Sequence, residues 1–306
     1  MVARTKITIA SRDSQLAIWQ THYVKDLLKK AYPHLVCDIV TMKTQGDKIL
    51  DRPLNEIGGK ALFMKELEIA IEQGKADIAV HSLKDVPYEL PKGFALGAFC
   101  GRENPQDALV SNHYQHLDAL PQKAVVGTSS LRRKAQLLAY RPDLDIRDLR
   151  GNVQTRLRKL DEGHYDAIVL AAAGLIRLGL DDRVKQLIPV DTLLPAVGQG
   201  ILVVEYLQQD DELKTLLTAI NHQPSQIMAE AERSFNMRLQ GGCHVPIAAF
   251  CQLLDTTRLK LMAMVANSGG TRVLKHCIIG HDPIALGIEL AEKMIELGAK
   301  KILLSD

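Results

Sequence analysis

The chain has 306 residues, enough for two or three domains, and its 46% hydrophobic and 24% charged residues are an ordinary globular balance. A formal net charge of only +2 excludes a strong overall field toward nucleic acid or membrane, so any anion site has to come from local clustering. Five cysteines, at positions 37, 100, 243, 251 and 277, are odd in number and scattered, which argues against a disulfide frame and for a reducing compartment.

The N-terminal Met-Val-Ala-Arg-Thr-Lys has no apolar core of the kind a secretory signal needs, and no apolar run reaches bilayer-spanning length. No Cys-x-x-Cys or His-x-x-x-His spacing suggests a metal site. Ile7 to Ala10 reads as a short strand, and Ser14 as the cap of a helix carrying Leu16, Trp19, Tyr23 and Leu27 that stops before Pro33. Leu35 to Met42 is a second strand, so the first unit implies a right-handed parallel crossover. Lys43 to Lys60 has little periodicity and holds Gly58-Gly59-Lys60, a hinge able to present a cation or simply a surface flap.

Leu62 to Gln73 predicts a helix, stopped by Gly74. Ile78, Ala79 and Val80 form a buried strand, followed by Ser82, Lys84 and Asp85 in a polar turn before Pro87. Taken alone this is a surface turn with an incidental ion pair, but ligands of open α/β sheets sit beyond the carboxyl ends of strands. After the strand Phe94 to Phe99, Gly101 to Pro105 looks like a crossing segment.

The plan then repeats. Ala124 to Gly127 is a strand, Thr128-Ser129-Ser130 caps a helix carrying Arg132 and Arg133, Asp145 to Leu149 is a strand, and Arg150-Gly151-Asn152 opens a helix with Arg156. The segment from Gly163 to Val169 matches that from Gly74 to Val80 as Gly-x-x-Asp-x-x-Val, which suggests two similar lobes with a ligand cleft between them. Pro195 to Gly200 is a second crossing, and Ile201 to Tyr206 a strand returning to the first lobe. Helices are predicted over Asp210 to Ile220 and Ser225 to Leu239. Beyond Gly242 come three strands (Ile247 to Leu254, Leu259 to Ala266, Val273 to Ile279), a helix over Ile284 to Leu297 and a last strand at Ile302 to Leu304.

Two constellations carry chemistry. Arg12, Lys84, Arg132, Arg133, Arg150, Arg156 and Arg177 fall at or just after predicted strand ends, where guanidinium forks and the helix starts at Ser14, Ser129 and Asn152 suit a small polyanion. Each arginine taken singly reads equally as a solvated surface charge. Gly241-Gly242-Cys243-His244-Val245-Pro246 holds a thiol in a tight turn, a candidate nucleophile or a small buried hydrophobe. The absence of interleaved aromatics disfavours nucleic acid, and no Gly-x-x-x-x-Gly-Lys-Ser/Thr loop favours a phosphate-handling transferase. A two-lobed anion binder without catalysis stays open, since a fold does not fix a function.

With these residues in view, the chain resembles the porphobilinogen deaminase family. The segments that carry the resemblance are Ala10-Ser11-Arg12, Gly58-Gly59-Lys60, Val80 to Pro87 (Val-His-Ser-Leu-Lys-Asp-Val-Pro), Gly127 to Arg133 (Gly-Thr-Ser-Ser-Leu-Arg-Arg), Leu149-Arg150-Gly151-Asn152, Leu194 to Gly200 (Leu-Pro-Ala-Val-Gly-Gln-Gly) and Gly241-Gly242-Cys243, in the same order over nearly the whole chain. The resemblance implies an α/β fold of two periplasmic-binding-protein-like lobes with mainly parallel sheets, residues 1–100 with 200–219 and residues 104–195. A small α+β C-terminal domain over 223–306 would bear the cofactor cysteine. It implies a transferase that joins four porphobilinogens head to tail, with loss of ammonia, and releases hydroxymethylbilane for tetrapyrrole (haem) synthesis.

The cofactor implied is a dipyrromethane primer, thioether-linked to Cys243 and held by Lys84, Ser82, Thr128, Ser129, Ser130, Arg132, Arg133 and Arg150. Asp85 matches the catalytic aspartate, and Arg12, Arg156, Arg177, Lys60 and Gln199 match substrate contacts. No metal, nucleic acid or membrane partner is implied. The implied protein is a cytoplasmic monomer with a transient hand-off to uroporphyrinogen III synthase. Gln45 and Glu56 depart from the family pattern, at positions where arginine and lysine are usual, and reduce the cations expected of the long loop.

Overall fold

A computed structural model describes residues 4–48, 62–240 and 245–304, with side chains throughout except at Asp47 and Lys48. The expectations for Glu56, the Gly58-Gly59-Lys60 hinge and Cys243 lie outside the described residues. The chain divides into two compact units, Met1–Glu103 with Ile201–Gln226 and Asn104–Gly200 with Ile227–Asp306.

In the first unit, β1 (Lys6–Arg12), α1 (Gln15–Ala31), β2 (Val36–Met42), α2 (Gln45–Lys48), α3 (Lys65–Glu72), β3 (Ile78–Ser82) and β4 (Phe94–Phe99) follow in order. The chain then runs through β5 (Asp107–Val110), β6 (Val125–Gly127), α4 (Leu131–Tyr140), β7 (Asp145–Arg147), α5 (Val153–Asp161), β8 (Ala167–Ala171), α6 (Ala172–Arg177) and β9 (Gln186–Leu187) in the second unit. It returns to the first through β10 (Leu202–Leu207) and α7 (Asp211–Thr218). It closes with α8 (Gln223–Arg238), β11 (Ile247–Leu253), β12 (Leu259–Ala266), β13 (Val273–Gly280), α9 (Pro283–Glu296) and α10 (Ala299–Leu303).

The sheet of the first unit has the order β2-β1-β3-β10-β4, and the large sheet of the second has β7-β6-β8-β5-β9. In each, the first three strands are parallel, and the fourth runs antiparallel to both its neighbours. The reversed strand is in each case the one that follows a crossing, β5 after Gly101 to Pro105 and β10 after Pro195 to Gly200. The expectation that Ile201 to Tyr206 returns to the first sheet is met by its pairing with β3 and β4.

The repeated Gly-x-x-Asp-x-x-Val has one physical job in both sheets. Gly74 and Gly163 take φ values of 66° and 78°, a turn that an L side chain strains, and end the preceding helices. Asp77 then accepts from Thr8 N at 2.6 Å, and Asp166 from Val125 N at 2.7 Å, each tying its strand to the parallel neighbour. The motif sets strand register, not ligand contact.

Helix starts follow the predicted caps. Ser14, Ser130 and Asn152 accept from the backbone N–H of Ala17, Arg133 and Thr155 at the starts of α1, α4 and α5. Beneath α1, Ile7, Ile9, Ile78, Val80, Leu202 and Val204 are buried, and each such side chain contributes about 1.5–3 kcal/mol on leaving water.

The three C-terminal strands form an antiparallel meander in the order β11-β12-β13. Alternation along β11 and β12 buries both faces: Ala249, Cys251, Leu261 and Ala263 pack with Phe235 of α8 and Leu290 of α9, while Ala248, Phe250 and Met264 pack with Ala135 of α4 and Leu194. The meander therefore shares a core with α4 and the segment around Leu194. Ile302 to Leu304, expected as a strand, falls in the helix α10 and its C-cap. Three apolar residues do not distinguish strand from helix; Ala299, Ile302 and Leu303 pack on the α9 and β12 core, and Gly298 at φ 98° starts the helix. Four elements went unforeseen: α2, β5, α6 and β9.

Candidate functional site

In the first unit the carboxyl end of β3 runs into a 3-10 turn over Leu83–Asp85. Leu83, only 1% exposed, pins this turn from below, and its N–H donates to Ile201 O at 2.9 Å. The turn lifts Lys84 and Asp85 to half-buried positions side by side in sequence. Ser82 is held by Gln20 of α1, whose Nε2 donates to Ser82 Oγ at 2.9 Å.

Arg12 ends β1, two strand positions beyond Ala10, which pairs with Ala79 of β3. Its guanidinium lies 4.2 Å from the centre of the Phe63 ring, a cation–π contact that orients the fork. Gly46 in α2 lies against the same ring, where a Cβ would collide with it. Lys60 and Cys243 lie outside the described residues.

The second unit gathers the remaining cations. Ser129 Oγ donates to Leu149 O at 2.9 Å and accepts from Leu149 N at 3.0 Å, fixing the start of α4 to the end of β7. Thr128 is buried, and its Oγ1 accepts from Ser130 N at 3.2 Å. Arg156 is half-buried and donates from Nε to Gly151 O at 2.8 Å. Arg177, 8% exposed, donates to Gly200 O at 2.7 Å. Arg150 has a buried Nη1 with no hydrogen-bond partner.

Arg132 and Arg133 converge on a residue that the sequence reading did not single out. Asp107, fully buried at the start of β5, accepts from Arg132 Nη1 at 2.7 Å and from Arg133 Nε and Nη2 at 3.0 and 2.7 Å. Burial pushes the Asp107 carboxyl up, but the two guanidiniums outweigh it and hold the group well below the usual carboxylate range. Arg133 Nη1 also donates to Val169 O at 2.9 Å, so every nitrogen of that guanidinium is engaged inside the protein. Gln199, expected to contact substrate, is instead fully buried; its Nε2 donates to Pro105 O at 2.7 Å and to Asp107 at 3.0 Å, which joins the two crossing segments.

Two further charged residues were not singled out by the sequence reading. Arg233 of α8 is pushed down to about 10 by burial. Glu205, 0% exposed in β10, faces His81 of β3. The available signal was a lone acid inside an apolar strand, as in Asp107-Ala108-Leu109-Val110 and Leu202-Val203-Val204-Glu205-Tyr206.

Among the described residues, no group of three or more His, Cys, Asp or Glu side chains could hold a metal ion, and no helix is long and apolar enough to cross a membrane. The fold and the strand-end groups together define a protein with two α/β sheets whose strand ends present guanidinium, ammonium and hydroxyl groups. Residues 7–215 match the family model described as porphobilinogen deaminase, dipyromethane cofactor binding domain, and residues 226–296 match porphobilinogen deaminase, C-terminal domain. Curated porphobilinogen deaminases from Francisella tularensis subsp. holarctica (strain OSU18) and subsp. novicida (strain U112) are each 62% identical over 298 residues, 97% of this chain and 99% of the relative. The chain belongs to the porphobilinogen deaminase family. Among solved structures, the periplasmic aliphatic sulphonate binding protein SsuA from Escherichia coli aligns at 12% identity and a TM-score of 0.44, over 79% of this chain and 73% of that one.

The residues present fit a dipyrromethane, whose rings carry carboxylate side chains. The partnerless buried Nη1 of Arg150 is a donor in want of an acceptor, and a carboxylate supplies one.

Proposed function

We propose that this chain condenses four porphobilinogens head to tail, with loss of ammonia at each coupling, and releases hydroxymethylbilane for tetrapyrrole (haem) synthesis. The observation that carries the reading is the half-buried Lys84–Asp85 pair, set in a turn at the carboxyl end of a parallel strand. In this reading Cys243 would hold the primer by a thioether, and the primer would supply the pyrrole carbon to which the first substrate is added. Ser82, Lys84, Thr128, Ser129, Ser130 and Arg150 would hold its carboxylates, while Arg132 and Arg133, whose guanidiniums Asp107 already binds, would support the start of α4 from within. Arg12, Arg156, Arg177 and Lys60 would hold those of the substrate. The buried amide of Gln199 acts on the crossing segments and on Asp107.

Asp85 is the catalytic residue of the proposal. Loss of ammonia leaves an electron-poor azafulvenium from the incoming substrate, and a carboxylate close to the pyrrole nitrogens stabilises that cation more than the neutral ring. The same carboxylate can take up the proton that leaves the attacked ring carbon when the new bond forms. Lys84 binds substrate or primer carboxylates beside it. Units bounded near residues 100, 104, 195, 200 and 223 serve as two lobes and a primer-bearing domain, within one cytoplasmic monomer that passes its product to uroporphyrinogen III synthase. Incubation of the purified protein with porphobilinogen tests the activity. The expected result is one ammonia released per substrate consumed and a linear tetrapyrrole as product; porphobilinogen bound without turnover would leave a passive anion binder.

A further inference from the structure

Behind the Ser82–Asp85 turn lies a buried acid–base cluster to which the proposed chemistry assigns no part. Glu205 comes across from β10, and its Oε2 is 2.9 Å from His81 Nε2; the two side chains are 0% and 6% exposed. The other oxygen of Glu205 is buried with no hydrogen-bond partner. An acid in this setting costs stability that an apolar residue would not, so its retention asks for a use.

The placement supplies one. His81 immediately precedes Ser82, and Asp85 is four residues further on. Val203 pairs with His81 and Leu202 with Ser82, so β10 backs the strand end from which the turn springs. The groups facing the pair come from two elements: Glu68 from α3, with Glu72 acting on it, and Arg12 at the end of β1, which alternation puts on the same sheet face as His81. Burial first, then the Glu205 carboxylate, pushes Glu68 up to about 7.

We propose that Glu205, acting through His81, is a positioning residue for the turn that carries Lys84 and Asp85. The inference rests on the reading of Asp85 as the catalytic group. Fixing His81 from a neighbouring strand limits the freedom of the one strand end that must hold Asp85 still while charge develops on substrate.

Glu205→Gln, which keeps the shape of the side chain, and His81→Leu are the test variants, both prepared with primer attached. For Glu205→Gln the expected result is a fall in kcat of about tenfold to a hundredfold with KM little changed. Amide hydrogen exchange over residues 80–86 should quicken at the same time. His81→Leu, which removes the partner nitrogen, should show the same loss of kcat and the same quickened exchange, and the double variant should be no worse than either alone. A Glu205→Gln protein with wild-type kcat and wild-type exchange in that segment overturns the inference, as does one whose melting temperature alone drops. Should Glu205→Gln fail to fold, His81→Leu decides, and wild-type kcat and wild-type exchange in that variant overturn it. Wild type that does not turn over porphobilinogen would sink the catalytic reading itself, a separate outcome.

Discussion

Arg133 grips Asp107 through two nitrogens, Nε at 3.0 Å and Nη2 at 2.7 Å, in a setting where neither residue is more than 6% exposed. Arg132 joins the same carboxylate from the next position along α4. A single acid thus compensates two guanidiniums that burial would otherwise make costly. Replacing it leaves both cations without a counter-charge, so Asp107→Asn should lower unfolding free energy by about 3–5 kcal/mol. Denaturant titration of the variant against wild type checks this; a difference too small to measure would mean that the pair is not buried in solution.

The same carboxylate makes stability depend on acid. Its folded pKa is depressed by the arginines, so the stabilisation it gives is complete above the unfolded value of about 3.9 and is lost progressively as pH falls below that value. Unfolding curves from pH 6 down to about 2 should therefore show an acid-side loss for wild type that Asp107→Asn lacks.

Asp85→Asn should leave the fold intact, because Asp85 is half-buried in a turn held by Leu83 and not by its own burial. Turnover should fall by about a hundredfold to a thousandfold, the cost of removing a charge aimed at a developing cation. Melting temperature and single-turnover kinetics, measured on the same sample, separate the two effects. Normal elongation would remove Asp85 from the mechanism.

Gly46 has no room for a side chain against the Phe63 ring. Gly46→Ala should push Phe63 away from the Arg12 guanidinium, which now sits 4.2 Å from its ring centre, and so loosen that cation. The expected outcome is a rise in KM for porphobilinogen of about tenfold. Steady-state kinetics on the variant and on Phe63→Leu should move in the same direction.

Much of this architecture can be read from local patterns. Ser14, Ser130 and Asn152 announce three helix starts, and the repeated glycine–aspartate spacing announces two sheets of one plan, because both signals act over only a few residues. The turn at Lys84 and Asp85 is legible for the same reason: an apolar run, a polar cluster and a proline follow one another directly. What escapes is whatever depends on partners far along the chain. Asp107 meets Arg132 and Gln199 across 25 and 92 residues, and Glu205 meets His81 across 124, separations that no sequence periodicity encodes. Arg132 and Arg133 were legible as cations, but not their shared bond to a protein carboxylate. The C-terminal Ile302 to Leu304 misled because three apolar residues are shorter than one turn of helix and fit either period, and the core beside them decides.

The account turns on a covalent primer at one thiol, and intact mass spectrometry of the freshly purified protein reads that directly. Wild type should be heavier than its sequence by a two-ring dipyrromethane adduct, with Cys243→Ser matching its sequence mass and failing to elongate porphobilinogen. An active wild-type protein whose mass equals that of its bare sequence would contradict the central claim.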